Sequence, residues 1–400
     1  MSRTSADQMR AWQGPALLSF GFRPFFLLGA IWAAIAMMLW VAALAGTMPL
    51  PTRLDTVSWH AHAFLFGYTG AIIAGFLLTA VPNWTGRLPV VGWRLGGLVA
   101  LWVAGRAAVL ASAMLPLWAA PAVDLAFPLV LGAFILREIV AGRSWKNLIV
   151  LALLIVFALA NLVFHLEAAR GEHAAQGTGL RLGLATAIGM IVLIGGRIVP
   201  SFTRNWLVKG GDVARPAPPM QRFDKAVLLV TLAVLTLWIL RPLDALTGAA
   251  LLGLAALHGL RLGRWQGHRT GSEPLVWILH AAYALVPIGA GILGLSILRP
   301  DLVTPASAQH VWMAGALGLM TLAVMTRATL GHTGRALHAG GMTVLLYASL
   351  AGSVVARLAA GWLPGHWGLD ASAILWVLAF AGFAVVYGPM LATSRPKRAA

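Results

Sequence analysis

Trp59-His60-Ala61-His62 opens the second long apolar stretch of the chain. Imidazole is the side chain best suited to hold copper or iron where no thiolate exists. The sequence has no cysteine, which excludes disulfides, thiolate metal sites, iron–sulfur clusters and thiol catalysis. A transition metal would therefore be held by His, Met or carboxylate. Successive helical residues are about 100° apart, so His60 and His62 point about 200° apart. They share one metal only if the helix start is unwound. On a regular helix they serve different partners, or they are simply interfacial histidines beside an aromatic-belt tryptophan.

His310 opens the tenth apolar stretch beside Trp312, and His165 closes the fifth. With His60 and His62 they make four imidazoles expected at one membrane depth, although His165, followed by Glu167, also reads as a surface residue. His280 lies about two turns, or about 10 Å, into the ninth stretch, with Tyr283 one turn further. An imidazole that deep needs a metal, a carbonyl or the Tyr283 hydroxyl as partner.

Near the opposite face, Gly195-Gly196-Arg197 precedes Pro200-Ser201-Phe202-Thr203-Arg204-Asn205, and Arg327 is followed by His332 and Arg335. A buried guanidinium forks onto carboxylate or phosphate, so Arg197, Arg327 and His332 are candidates for haem propionates or another small anion. Snorkelling to headgroups is the plainer fate of Arg335 and Arg94. Arg106 in the third stretch and Asp124 in the fourth could neutralise each other, but their predicted depths do not establish a pair. Glu138 reads as an interfacial acid. His258, His268, His338, His173 and His366 fall at ends or in loops and read as solvated. Met residues within the stretches read as packing. No phosphate loop, Ser-His-Asp order or HExxH motif occurs, which argues against a hydrolase.

These groups must be carried by membrane helices. Of 400 residues 60% are apolar and only 10% charged, against about 25% charged in soluble domains. Stretches near 24–46, 57–81, 93–113, 119–140, 147–167, 180–200, 224–244, 246–262, 274–298, 306–328, 337–361 and 370–393 approach the roughly 20 residues a spanning helix needs. The prediction is an all-α membrane protein of about twelve transmembrane helices. The first stretch is too long for a signal-peptide core and is read as a retained helix.

The net charge of +17 is best explained by lipid-facing loops and not by nucleic acid, since no basic run is interleaved with exposed aromatics. With both termini in the cytoplasm, 21 of the 29 Lys and Arg fall in cytoplasmic segments and six outside. The Pro- and Gly-rich segment 202–223 reads as a cytoplasmic linker. At an offset of 248, His62 falls on His310, Gly67 on Gly315 and Gly70 on Gly318. The block Asn83-Trp84-Thr85-Gly86-Arg87 likewise matches Gly331-His332-Thr333-Gly334-Arg335, with Thr203 in the corresponding place of the sixth stretch. Three parallel four-helix repeats (15–140, 141–262 and 270–395) are one reading, and chance similarity among Gly- and Ala-rich spans is the other.

Several long blocks resemble the NnrS family. They are Gly21-Phe22-Arg23-Pro24-Phe25-Phe26, Trp59-His60-Ala61-His62, Ala74-Gly75-Phe76 through Trp84-Thr85-Gly86, Gly195-Gly196-Arg197 through Asn205-Trp206, and Met325-Thr326-Arg327 through Gly334-Arg335. The resemblance runs from about residue 15 to the last span. It implies a multi-pass protein of the bacterial inner membrane that binds haem and copper and acts in nitric oxide metabolism and resistance to nitrosative stress, alongside denitrification. Family members usually carry Glu after the second His of the WHxH motif, where this chain has Ala63, so a carboxylate role there is not expected. The expected metal ligands are His60, His62, His310 and His280. Arg197, Arg327 and His332 are expected to bind cofactor, and His165, Tyr283, Asn205 and Arg335 complete the candidate set. A transporter or channel for a small anion or metal, and a membrane sensor or scaffold, are the competing functional classes.

Overall fold

A computed structural model describes residues 12–87 and 89–393. Arg3, Arg10, Arg395, Lys397 and Arg398, all used in the orientation argument, lie outside the described residues. Among the described residues the secondary structure is helical, with no strand, and twelve helices are long and apolar enough to span a bilayer. They are α1 (Phe22–Leu44), α2 (Thr56–Thr85), α3 (Trp93–Leu110), α4 (Ala119–Ala141), α5 (Trp145–Ala169) and α6 (Thr178–Lys209). The rest are α7 (Arg222–Leu240), α8 (Ala245–Gly263), α9 (Pro274–Leu298), α10 (Pro305–His332), α11 (Gly341–Ala359) and α12 (Trp367–Ala392). The fold class read from sequence is therefore correct, including the short eighth span.

Helices α2, α6 and α10 differ from the rest. They contain 30, 32 and 28 residues, so α6 extends about 48 Å and outreaches a hydrocarbon core of about 30 Å. They are also the most buried, at 78%, 72% and 67% of an apolar 18-residue stretch in each. Each relaxes from α- to π-helix once, at Ala63–Tyr68, Ile191–Gly195 and Val311–Leu317. The first and third π segments start at 63 and 311, the same offset of 248 that pairs His62 with His310. A π turn displaces carbonyls from the regular ladder, and in a membrane each needs another donor. The indole of Trp32 donates to the Ala63 carbonyl at 2.9 Å, and that of Trp102 to the Gly67 carbonyl at 3.0 Å.

Contacts divide the chain into two compact units. The first takes residues up to 183, with 329–335 and those from 380 on, and the second takes 184–328 and 336–379. In the first unit Arg23, one of the 21 basic residues assigned to cytoplasmic segments, is buried and caps the end of α12. Its NH1 donates to the carbonyls of Leu391 (2.9 Å) and Thr393 (2.8 Å). Charge there satisfies orphan carbonyls of a helix terminus.

Candidate metal centre

Asp55 starts α2 by accepting from the backbone N–H groups of Val57 and Ser58 at 3.0 and 2.9 Å. The helix is regular from Thr56 to His62, and the π segment begins at the next residue. His60 and His62 are thus on regular helix and meet different partners. The half-buried His60 stacks on Trp40, ring centroids 4.1 Å apart, and packs against Phe64 at 4.9 Å. His62 is fully buried on the other side, facing α4 and α5.

Asp124 comes from the second turn of α4, and Asn161 and His165 sit one turn apart on one face of α5. His62 Nε2 and His165 Nε2 each lie 3.0 Å from Asp124 Oδ2. Asn161 Nδ2 donates to the same oxygen at 2.7 Å, and its Oδ1 lies 3.0 Å from His62 Nε2. Arg106 of α3 donates from NH2 to Asp124 Oδ1. All five side chains are at most 7% exposed. Gly67 makes room for the guanidinium, because a Cβ there would come within 2.6 Å of Arg106 NH1. Burying charge in hydrocarbon is tolerated only when it is paired, and here one guanidinium balances one carboxylate.

The donor atoms of His62, Asp124 and His165 lie within 4.8 Å of one another, the one such group of three among the described residues. Separations of 3.0 Å match neighbouring ligand atoms about 2.0–2.1 Å from a shared ion. Two imidazoles and a carboxylate suit copper, zinc or non-haem iron. Metal binding displaces the Nε2 protons, and His62 Nδ1, which has no hydrogen-bond partner, would take up the one its ring keeps. The cavity beside Arg106, Asp124 and Asn161 measures about 10 Å³ and is walled by Phe66, Phe127 and Phe157. It admits one water-sized ligand, whereas cofactor pockets run to about 300 Å³ or more. His62 and His165 do not line this cavity, and it is too small for a haem.

Of the residues singled out by sequence, the structure brings together His62 and His165, and it makes the Arg106–Asp124 pair that spacing left open. Asn161 was not foreseen, although an Asn one turn before a histidine on an apolar helix is a visible signal. His165 is buried, not a surface residue, and the buried Glu167 accepts from the backbone N–H groups of Thr178 (2.7 Å) and Gly179 (3.1 Å). His332 is exposed and packs on Phe20 and Phe22. Arg335 is half-buried.

The second unit holds the other candidates. His310 Nδ1 donates to the Ala306 carbonyl at 2.7 Å, which makes Nε2 the acceptor atom of its ring. His280 Nε2 meets the Thr203 hydroxyl at 2.7 Å, and the Gly267 backbone covers its Nδ1, where a Cβ would approach to 2.5 Å. Arg197 is half-buried, and its Nε has no hydrogen-bond partner. Arg327 lies over the Phe202 ring at 4.1 Å, and Asn205 is exposed.

His258 and Arg261 correct the sequence reading, which took His258 as solvated and counted Arg261 among the cytoplasmic charges. Both are 0% exposed, inside α8. Arg261 donates from Nε to Asp224 (2.8 Å), and from NH1 to the Tyr283 hydroxyl (2.9 Å) and to the Val192 carbonyl in the π segment of α6 (3.0 Å). Since Arg only donates, the Tyr283 hydroxyl must pass its own proton toward His258 Nδ1 at 2.9 Å. His258 Nε2 then donates to Thr231 at 3.0 Å. Gly196 leaves the space for Arg261, since a Cβ there would lie 2.1 Å from NH2.

Fold and site define a polytopic α-helical membrane protein with a buried His–His–Asp group able to hold a metal ion. Residues 16–395 match the family described as NnrS protein, and the chain belongs to that family. No curated protein matches it.

Proposed function

We propose that this protein is a metal-binding protein of the bacterial inner membrane that acts in nitric oxide metabolism and resistance to nitrosative stress. Copper would be held by His62, His165 and Asp124, and the centre would bind NO or pass electrons. The observation that carries the reading is the convergence of three donor atoms from α2, α4 and α5 in a region where unpaired polar groups are costly. His62, His165 and Asp124 would bind the ion, Asn161 would hold the Asp124 carboxylate through its Nδ2–H, and the surrounding phenyl rings would exclude bulk water. Copper would supply one-electron chemistry at that point.

With both termini cytoplasmic, as the basic residues favour, the site lies toward the outer end of α2–α5. His280 and His310 lie near opposite membrane faces and are separate candidate ligands, not a pair on one haem, with Arg197 and Arg327 as candidate partners for haem propionates or another anion. The shared offset of the π segments in α2 and α10 supports an internal repeat. A second reading, transport of a small anion or metal, draws on the buried Arg–Asp pair in each unit. Solute flux through metal-free proteoliposomes would favour it.

The test is metal analysis with an optical spectrum on purified protein. Wild-type protein should retain stoichiometric copper, and His62→Ala and His165→Ala should each lose most of it. Copper-free wild type, or variants that keep their copper, would overturn the proposal.

A further inference from the structure

Arg106 is 5% exposed in a bilayer-spanning helix, and Asp124 is its one anionic partner among the described residues. Its NH1 is seated against Gly67, and its Nε has no hydrogen-bond partner. The notch in the π segment and the Asp124 carboxylate therefore fix the guanidinium beside the three donor atoms.

We propose that Arg106 determines which metal charge state the site accepts, so that monovalent copper is held in preference to divalent ions. The inference rests on the metal reading of His62, His165 and Asp124. Without a metal, the guanidinium and carboxylate cancel and the two imidazoles are neutral. A monovalent ion leaves this enclosed group with one net positive charge, and a divalent ion leaves it with two. Repulsion between ion and guanidinium scales with the ion's charge and is poorly screened away from water.

Coordination number acts in the same direction. Arg106 occupies Oδ1, so Asp124 offers a single oxygen, and with two imidazole nitrogens the site supplies three donors. Three donors satisfy monovalent copper but fall short of the four that zinc usually takes. Donor type alone pulls the other way, because imidazole and carboxylate suit divalent ions. Removing the guanidinium should expose that opposed preference.

The experiment measures Cu(I), Cu(II) and Zn(II) affinities of the full chain in detergent, by competition with chelators selective for each ion. Arg106→Gln should raise Cu(II) and Zn(II) affinity relative to Cu(I) by ~10- to 100-fold, and Arg106→Lys should keep the wild-type preference. If Arg106→Gln does not fold, Gly67→Ala displaces the guanidinium without removing it, and should move the ratio the same way by less. A folded Arg106→Gln or Gly67→Ala variant whose ratio equals that of wild type overturns the inference and leaves the metal site standing. Wild-type protein that binds none of the three ions overturns the metal reading itself.

Discussion

His62, the last residue of regular helix before α2 relaxes into a π turn, and His165 of α5 both direct Nε2 to the same oxygen of Asp124, each at 3.0 Å. Neither imidazole has another charged acceptor within the cluster. Asp124 is therefore the hub on which the site depends, and Arg106 is its counter-ion.

Replacing Asp124 with Asn keeps the shape and removes the charge, leaving Arg106 unpaired inside the bilayer. Breaking a buried pair from one side costs about 3–5 kcal/mol. Thermal unfolding in detergent should fall accordingly, and bound metal should be lost. Unchanged stability would mean that the guanidinium finds another partner.

Asn161 is a supporting residue, not a ligand. Asn161→Leu should leave metal stoichiometry intact and lower affinity about 10- to 100-fold, as loss of an outer hydrogen-bond partner usually does. A chelator titration against wild type measures it.

Gly196→Ala would drive a methyl group into the space occupied by Arg261 NH2. Overpacking of this kind costs about 1–3 kcal/mol. The loss should be smaller in a background carrying Arg261→Met, where the obstruction is gone, and a double-mutant cycle reads the coupling directly.

Asp55 gives a pH dependence outside the membrane spans. Burial pushes its carboxyl up, but hydrogen bonds from Ser58 and Val57, with His173 nearby, outweigh this and hold it below the usual carboxylate value. The folded pKa is depressed, so the cap's contribution is present in full above the unfolded value of about 3.9. It is lost as pH falls through the lower folded value. Asp55→Ala should cost about 1 kcal/mol at neutral pH. The gap to wild type should close below about pH 4.

Much of the fold was legible because bilayer-length apolar runs are a strong signal, and all twelve spans were found, although α6 runs on to Lys209, into the segment 202–223 read as a linker. The site was partly legible. His62 and Asp124 stood out as ionisable groups where lipid rejects them, but pairing them required knowing how α4 and α5 turn toward α2. Periodicity does not supply that in helices that are apolar all round. His258 and Arg261 were missed for a related reason. They lie in the last two turns of α8, where a charged residue ordinarily reaches water, and only the opening at Gly196 lets Arg261 turn inward.

X-ray absorption at the copper edge of the purified protein tests the central claim most directly. The account predicts a first shell of nitrogen and oxygen only, with two imidazoles in wild type and one in His165→Ala. A sulfur scatterer, or an imidazole count indifferent to His165, would contradict it.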